Sequence, residues 1–128
     1  MKHAVTFLFV GLGGALGSIS RYGITLLLLP FAGGFPYATF TVNLLGSFLI
    51  GLFTGVTIAT VPLSSEAKLF LVTGFCGGFT TFSAYMYDSA LLLRDGFHAL
   101  MLLYLIGSII GGFLALWAGM SVGRALSS

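Results

Sequence analysis

Apolar residues run along this chain in four long stretches, parted by short clusters of Gly, Pro and charged residues. The first stretch covers about residues 4–29 and stops at Pro30, Gly33, Gly34 and Pro36, a run that favours a turn. The second covers 39–61 and ends at Pro62. Ser64, Ser65, Glu66 and Lys68 follow as a polar connector, with Ser64 or Ser65 suited to cap a helix. The third covers 69–93 and gives way to Arg94-Asp95-Gly96, a compact polar turn. The fourth covers 99–122 and leaves a short tail. Each stretch meets the roughly 20 apolar residues that a membrane helix needs. The pattern predicts one all-α, four-span membrane domain over residues 1–128, with both termini on the same side.

Composition agrees. Of 128 residues, 58% are hydrophobic and 6% are charged, against about 25% charged in an ordinary soluble domain. Nothing is left over for a separate soluble domain, a nucleotide-binding fold or a nucleic-acid-binding patch. The net charge of +2 implies little about partners beyond an affinity for anionic lipid. The lone cysteine, Cys76, rules out an intrachain disulfide and a cysteine-built zinc site. Ala15-Leu16-Gly17 loosely resembles a signal-peptidase site, but the apolar run continues past it to Leu29 and reads better as the first span.

The third stretch is unusual. Its middle reads Thr73-Gly74-Phe75-Cys76-Gly77-Gly78-Phe79-Thr80-Thr81-Phe82-Ser83. Paired glycines followed by paired β-branched threonines make a poor helix centre. In lipid, unwound backbone is tolerated only where protein or a polar cavity covers it. A break at Gly77 to Thr80, near the bilayer midplane, is therefore expected; a continuous helix with a small-residue packing face is the alternative. Lys2, Lys68 and Arg124 fall on one side of a four-span topology and Arg94 on the other, with Arg21 near the end of the first span. So weak a positive-inside bias admits both orientations, hence an antiparallel dimer; a single fixed orientation stands equally open. Gly13 and Gly17, Gly51 and Gly55, Gly107 and Gly111, and Gly119 and Gly123 each lie four apart. Such faces let helices approach closely, between subunits or within one.

Polar residues inside apolar spans are functional candidates. Asn43 offers two donors and an acceptor; an interhelical hydrogen bond and an ion contact are both open to it. Tyr104 and Ser108 share one face of the fourth span, which Gly112 continues without a side chain. They could form a track of hydroxyl donors or ordinary helix glue. Thr80, Thr81, Ser83 and Tyr85 follow the expected break, and Phe82 and Tyr85 project to one face. Their positive ring edges could meet an anion, although most aromatic pairs at this spacing are packed core. Asp88 is placed either at a pore mouth or beside a basic residue such as Arg21. His3 and His98 resemble no metal cluster, no serine–histidine–acid set or phosphate loop stands out, and an enzyme is not expected. The first span lacks the acidic residue of a proton-coupled small multidrug exporter.

Taken together, Gly74-Phe75-Cys76-Gly77-Gly78-Phe79-Thr80-Thr81-Phe82-Ser83, Thr41-Val42-Asn43-Leu44-Leu45-Gly46 and Gly13-Gly14-Ala15-Leu16-Gly17 with Arg21-Tyr22 resemble the motifs of the Fluc (CrcB) fluoride channels, in the same order. The resemblance covers nearly the whole chain. It implies an antiparallel, dual-topology homodimer in the inner cell membrane, with two fluoride pores, passive export and fluoride resistance. It implies that Asn43 donates to fluoride, that Phe82 and the aromatic at position 85 present ring edges, and that Thr81, Ser83, Tyr104 and Ser108 line the path. It also implies a structural sodium ion on the dimer axis, held by the backbone carbonyls of Gly77 and Thr80. Two positions depart from the family pattern: Tyr85 replaces the usual second phenylalanine, and Gly112 stands where a serine often does. Neutral donors suit a small, tightly hydrated anion, because they replace its water without trapping it. The competing readings are a small multidrug-type coupled exporter and a non-conducting accessory membrane subunit.

Overall fold

The computed structural model describes residues 1–59 and 62–128. The expected end of the second span at Val61 lies outside the described residues. Four spans are present among those described, each long and apolar enough to cross a membrane. The first is α1 (Lys2–Leu28), continuous through Ala15-Leu16-Gly17. A short 3-10 turn (Leu29–Phe31) and a loop with Gly34 at φ +101° lead into α2 (Tyr37–Ala59). The third span has two limbs. The first limb, α3, covers residues 65–79: an opening turn at Ser65–Lys68, wide π-helical turns over Leu69–Cys76, then Gly77–Phe79. The second limb is α4 (Phe82–Arg94). The Arg94-Asp95-Gly96 turn has Gly96 at φ +83°, where glycine is free of the Cβ clash. The last span is α5 (His98–Leu126).

Local chemistry accounts for the helix starts. Ser64 Oγ accepts the Ala67 N–H at 3.1 Å and caps α3, as the sequence suggests. Thr81 Oγ1 accepts the Ala84 N–H at 3.2 Å and caps α4.

The break itself sits later than expected. Thr80 (φ −87°, ψ 154°) and Thr81 (φ −152°, ψ 116°) are extended, while Gly77 and Gly78 remain helical. The glycines serve packing instead. A Cβ on Gly74 would stand 2.8 Å from the Val10 carbonyl oxygen, and one on Gly78 would strike the Gly14 carbonyl. From the other side, a Cβ on Gly13 or Gly17 would strike the carbonyls of Phe70 and Phe75. Backbone therefore lies on backbone between α1 and α3.

The same device joins α2 to α5, the most extensive helix pair in the fold. Side chains at Gly51 and Gly55 would collide with the Leu116 and Met120 carbonyls, and at Gly119 and Gly123 with those of Phe48 and Leu52. These glycine pairs are thus occupied within one subunit. Gly107 is the exception: its Cβ position is open, while that of Gly111 stands 2.9 Å from Leu44 Cδ2. The buried core is small, with Tyr85, Leu92 and Tyr104 packed beneath Phe35, Phe40 and Leu105. Large apolar side chains such as Phe7, Leu8 and Trp117 face outward, as lipid-facing residues do.

Candidate functional site

The break in the third span frees backbone polar groups, and some of them find side-chain partners. In a continuous helix the Thr81 N–H would bond the Gly77 carbonyl. Here it donates to Asn43 Oδ1 at 2.9 Å, and Asn43 Nδ2 donates back to the Thr81 carbonyl at 3.3 Å. One side-chain amide on α2 thus pairs both polar groups of Thr81, much as a neighbouring strand would. The Ala84 N–H, which a helix would send to the Thr80 carbonyl, is taken by the Thr81 hydroxyl. The Gly78 carbonyl, whose helical donor would be Phe82, accepts from Arg21 Nε at 3.1 Å. Arg21 therefore reaches the break and not Asp88, so that suggested pairing is not formed.

Beyond the break, aromatic rings continue in sequence. Phe82 and Tyr85 have centroids 6.0 Å apart at 58°, and Tyr85 and Tyr104 have centroids 5.1 Å apart at 58°. Phe82 opens this series at the surface of the single chain, 73% exposed. Tyr104 closes it at 0% exposure. The hydroxyl of Tyr85 does not project into free space: it donates to the Leu105 carbonyl at 2.6 Å. The extra oxygen that distinguishes tyrosine here is thereby tied to α5. The Tyr104 hydroxyl donates to Asp88 Oδ2 at 3.2 Å. Asp88 also lines a cavity of about 260 Å³ with Phe35, Pro36 and Asp95, beneath the loop between α1 and α2. Ser83 is exposed, its hydroxyl 3.3 Å from that of Thr81.

Ser108 lies one turn beyond Tyr104. Hydroxyls elsewhere in the spans fold back onto the carbonyl four residues earlier, as Thr25, Ser47, Thr57, Ser89 and Ser121 do. Ser108 Oγ does not; it is buried without a hydrogen-bond partner, alone in this among the described residues. Such a hydroxyl is free to donate to water or to a ligand.

Of the residues expected at the site, Asn43, Thr81, Phe82, Tyr85 and Tyr104 thus form one connected run from the break to α5, with Ser108 one turn further along α5 and Ser83 at the exposed edge. Gly77 stands one turn before the break on an open surface, with nothing within 4 Å of its Cβ position. Two residues enter the site that the motifs alone did not assign there. Arg21 is one. The other is Ser47, one helical turn from Asn43 on the same face of α2, a spacing that was available in the sequence.

The comparisons with known proteins agree on one family. The family described as "CrcB-like protein, Camphor Resistance (CrcB)" matches residues 8–120. A protein of Chlorobium phaeobacteroides named "Fluoride-specific ion channel FluC" is 56% identical over 119 residues, covering 93% of this chain and 92% of its own. A protein of the same name from Chlorobium luteolum is 51% identical, covering 99% and 98%. One from Thermus thermophilus, again so named, is 47% identical, covering 94% and 96%. The chain belongs to the CrcB family.

Proposed function

We propose that this chain is a fluoride-selective ion channel that releases cytoplasmic fluoride passively and so confers fluoride resistance. The observation that carries the reading is the run of neutral donors and ring edges from Asn43 through Phe82, Tyr85 and Tyr104 to the unpaired Ser108 hydroxyl. It lies in a chain whose relatives bear the name of fluoride-specific channels. Fluoride surrenders its water only to groups that replace it, and uncharged donors do so without holding the ion too tightly to leave. Asn43 has a second amide hydrogen beyond the one given to Thr81, and Ser108 has its whole hydroxyl, so both can donate to an anion. In acid surroundings HF enters a cell, dissociates and is trapped as the anion; a passive pore drains it.

The working unit in this reading is an antiparallel homodimer of dual topology in the inner cell membrane. Its support is the incompleteness of a single chain: Phe82 opens the aromatic series on an uncovered surface, and a pore there needs a second wall. The glycine pairs give no such support, since nearly all of them are used inside the subunit.

The proposed structural sodium ion fits the residues present. The helical donors of the Gly77 and Thr80 carbonyls are diverted, one to Asn43 and one to the Thr81 hydroxyl. Carbonyl oxygens are suitable ligands for a hard cation, and unpaired ones in lipid each cost several kcal/mol. Gly77 and Thr80 of both subunits would hold the ion, which would add positive charge between the pores.

Efflux from proteoliposomes, followed with a fluoride electrode, tests the reading. Voltage-driven release without a proton gradient is expected. Release that requires a proton gradient would instead mean a coupled exporter, and no release from the purified protein would mean an accessory subunit.

A further inference from the structure

Between α2 and α5 runs an open groove of about 340 Å³, lined chiefly by Ile50, Ile109 and Phe113. Its polar side chains are Ser47 and Ser108, and Gly112 forms part of its floor. Ser108 brings to it a buried hydroxyl without a partner. One turn further along α5, where a third hydroxyl would continue the face of Tyr104 and Ser108, Gly112 has no side chain. One polar atom stands beside that position, however. A Cβ built on Gly112 would find one neighbour within 4 Å, Ser47 Oγ at 3.6 Å. The Ser47 hydroxyl from α2 therefore occupies the position next to the one a side chain at 112 would take.

We propose that Ser47 supplies the third hydroxyl of the anion path, from α2, at the level where α5 carries Gly112. The inference rests on the channel reading above. Without an anion, the Ser47 hydroxyl donates to the Asn43 carbonyl at 2.8 Å. That bond is the local kind that helical serines form when nothing better is offered. An arriving fluoride offers more: a hydrogen bond to an ion is roughly twice as strong as one between neutral groups. Rotation about the Cβ–Oγ bond then turns the proton from the carbonyl to the ion, while the oxygen stays beside Gly112. The Asn43 carbonyl keeps its helical N–H donor, so the exchange leaves no buried acceptor bare. Ser108 and Ser47 would bind the ion from opposite helices, which a track confined to α5 could not do.

The test is a two-by-two set of variants in proteoliposomes: wild type, Ser47→Ala, Gly112→Ser and both together, with potassium fluoride efflux as the readout. Ser47→Ala is expected to lower flux about tenfold, the worth of one hydrogen bond to an ion. Adding Gly112→Ser should restore flux to within about threefold of wild type, because a side chain at 112 meets only an ordinary contact there. Unchanged flux in Ser47→Ala overturns the proposal. So does a loss that Gly112→Ser fails to restore, since Ser47 would then act only by holding the Asn43 backbone. If Ser47→Ala does not yield folded protein, Gly112→Ser alone decides: flux at or above wild type supports a polar ion position in this groove, and a tenfold loss overturns it. A wild-type protein that releases no fluoride refutes the channel reading and this inference with it, whereas wild-type flux with either failed pattern refutes this inference alone.

Discussion

Replacing Asn43 by aspartate probes the break and the ion path at once. The carboxylate keeps an acceptor for the Thr81 N–H, which Asn43 Oδ1 now receives at 2.9 Å. It loses the Nδ2 donor that meets the Thr81 carbonyl at 3.3 Å and sets two oxygens face to face. With its donor gone, the carbonyl left unpaired costs about 1–3 kcal/mol. Folding should therefore weaken measurably without failing. The effect on transport is larger. A fluoride ion about 4 Å from the new charge is repelled by about 4 kcal/mol at an effective dielectric constant near 20. At about 1.4 kcal/mol per tenfold, that is close to three decades in occupancy. Asn43→Asp should cut voltage-driven fluoride efflux by at least about 100-fold, while size-exclusion chromatography still shows the wild-type assembly. A well-assembled variant that conducts within threefold of wild type would refute the reasoning and leave Asn43 as a backbone clamp only.

Other expectations follow from single contacts. Phe82→Ile keeps apolar bulk and removes the ring edge; as Phe82 is largely exposed in the single chain, melting of the subunit should shift little while efflux falls, and dissociation of the dimer instead would assign the ring to packing. Gly77→Val adds a side chain where the subunit leaves open space, so the helices should retain their circular dichroism while chemical cross-linking of the dimer drops; undiminished cross-linking would remove Gly77 from the interface. Arg21→Met strips the donor from the Gly78 carbonyl and should destabilise the fold by about 1–3 kcal/mol, read as a lower melting temperature in detergent; unchanged melting would mean that this carbonyl is satisfied another way.

The spans, the Ser64 cap and the existence of the break were legible because each follows from local composition: apolar run length, a serine before a polar turn, β-branched residues where helix is needed. The position of the break was not. Gly77 and Gly78 look like the weak point, yet helix propensity is a small term beside the close approach that Gly78 permits against Gly14. The threonines unwind instead because Asn43, 38 residues away, accepts the Thr81 N–H, and no local window contains that partner. The same limit hid the role of Arg21. A guanidinium near the end of a span reads equally well as a partner for the acid at Asp88 or for a bare carbonyl; only the packing of α1 on α3 puts it beside Gly78. The π-helical turns over Leu69–Cys76 carry no composition of their own and were invisible. At the site, the residue types pointed to Asn43, Phe82, Tyr85, Tyr104 and Ser108, but not to how their hydroxyls are spent. The Tyr85 oxygen goes to a backbone carbonyl, and the Ser108 oxygen goes to nothing.

The pairing of α2 with α5 has a consequence for how the chain is made. Gly51 and Gly55 sit in the second span, and the backbone they press against belongs to the last. About 67 residues separate the end of α2 from the end of α5, which at 5–20 residues per second takes a ribosome roughly 3–13 s. During that interval α2 lies in the membrane with its glycine stripe uncovered, open to any helix with a small-residue face. The α1 stripe waits less, because α3 emerges sooner. Insertion of the final helix is thus the step that closes the fold, and a nascent chain interrupted before it would expose the surface most prone to mispairing with a neighbour.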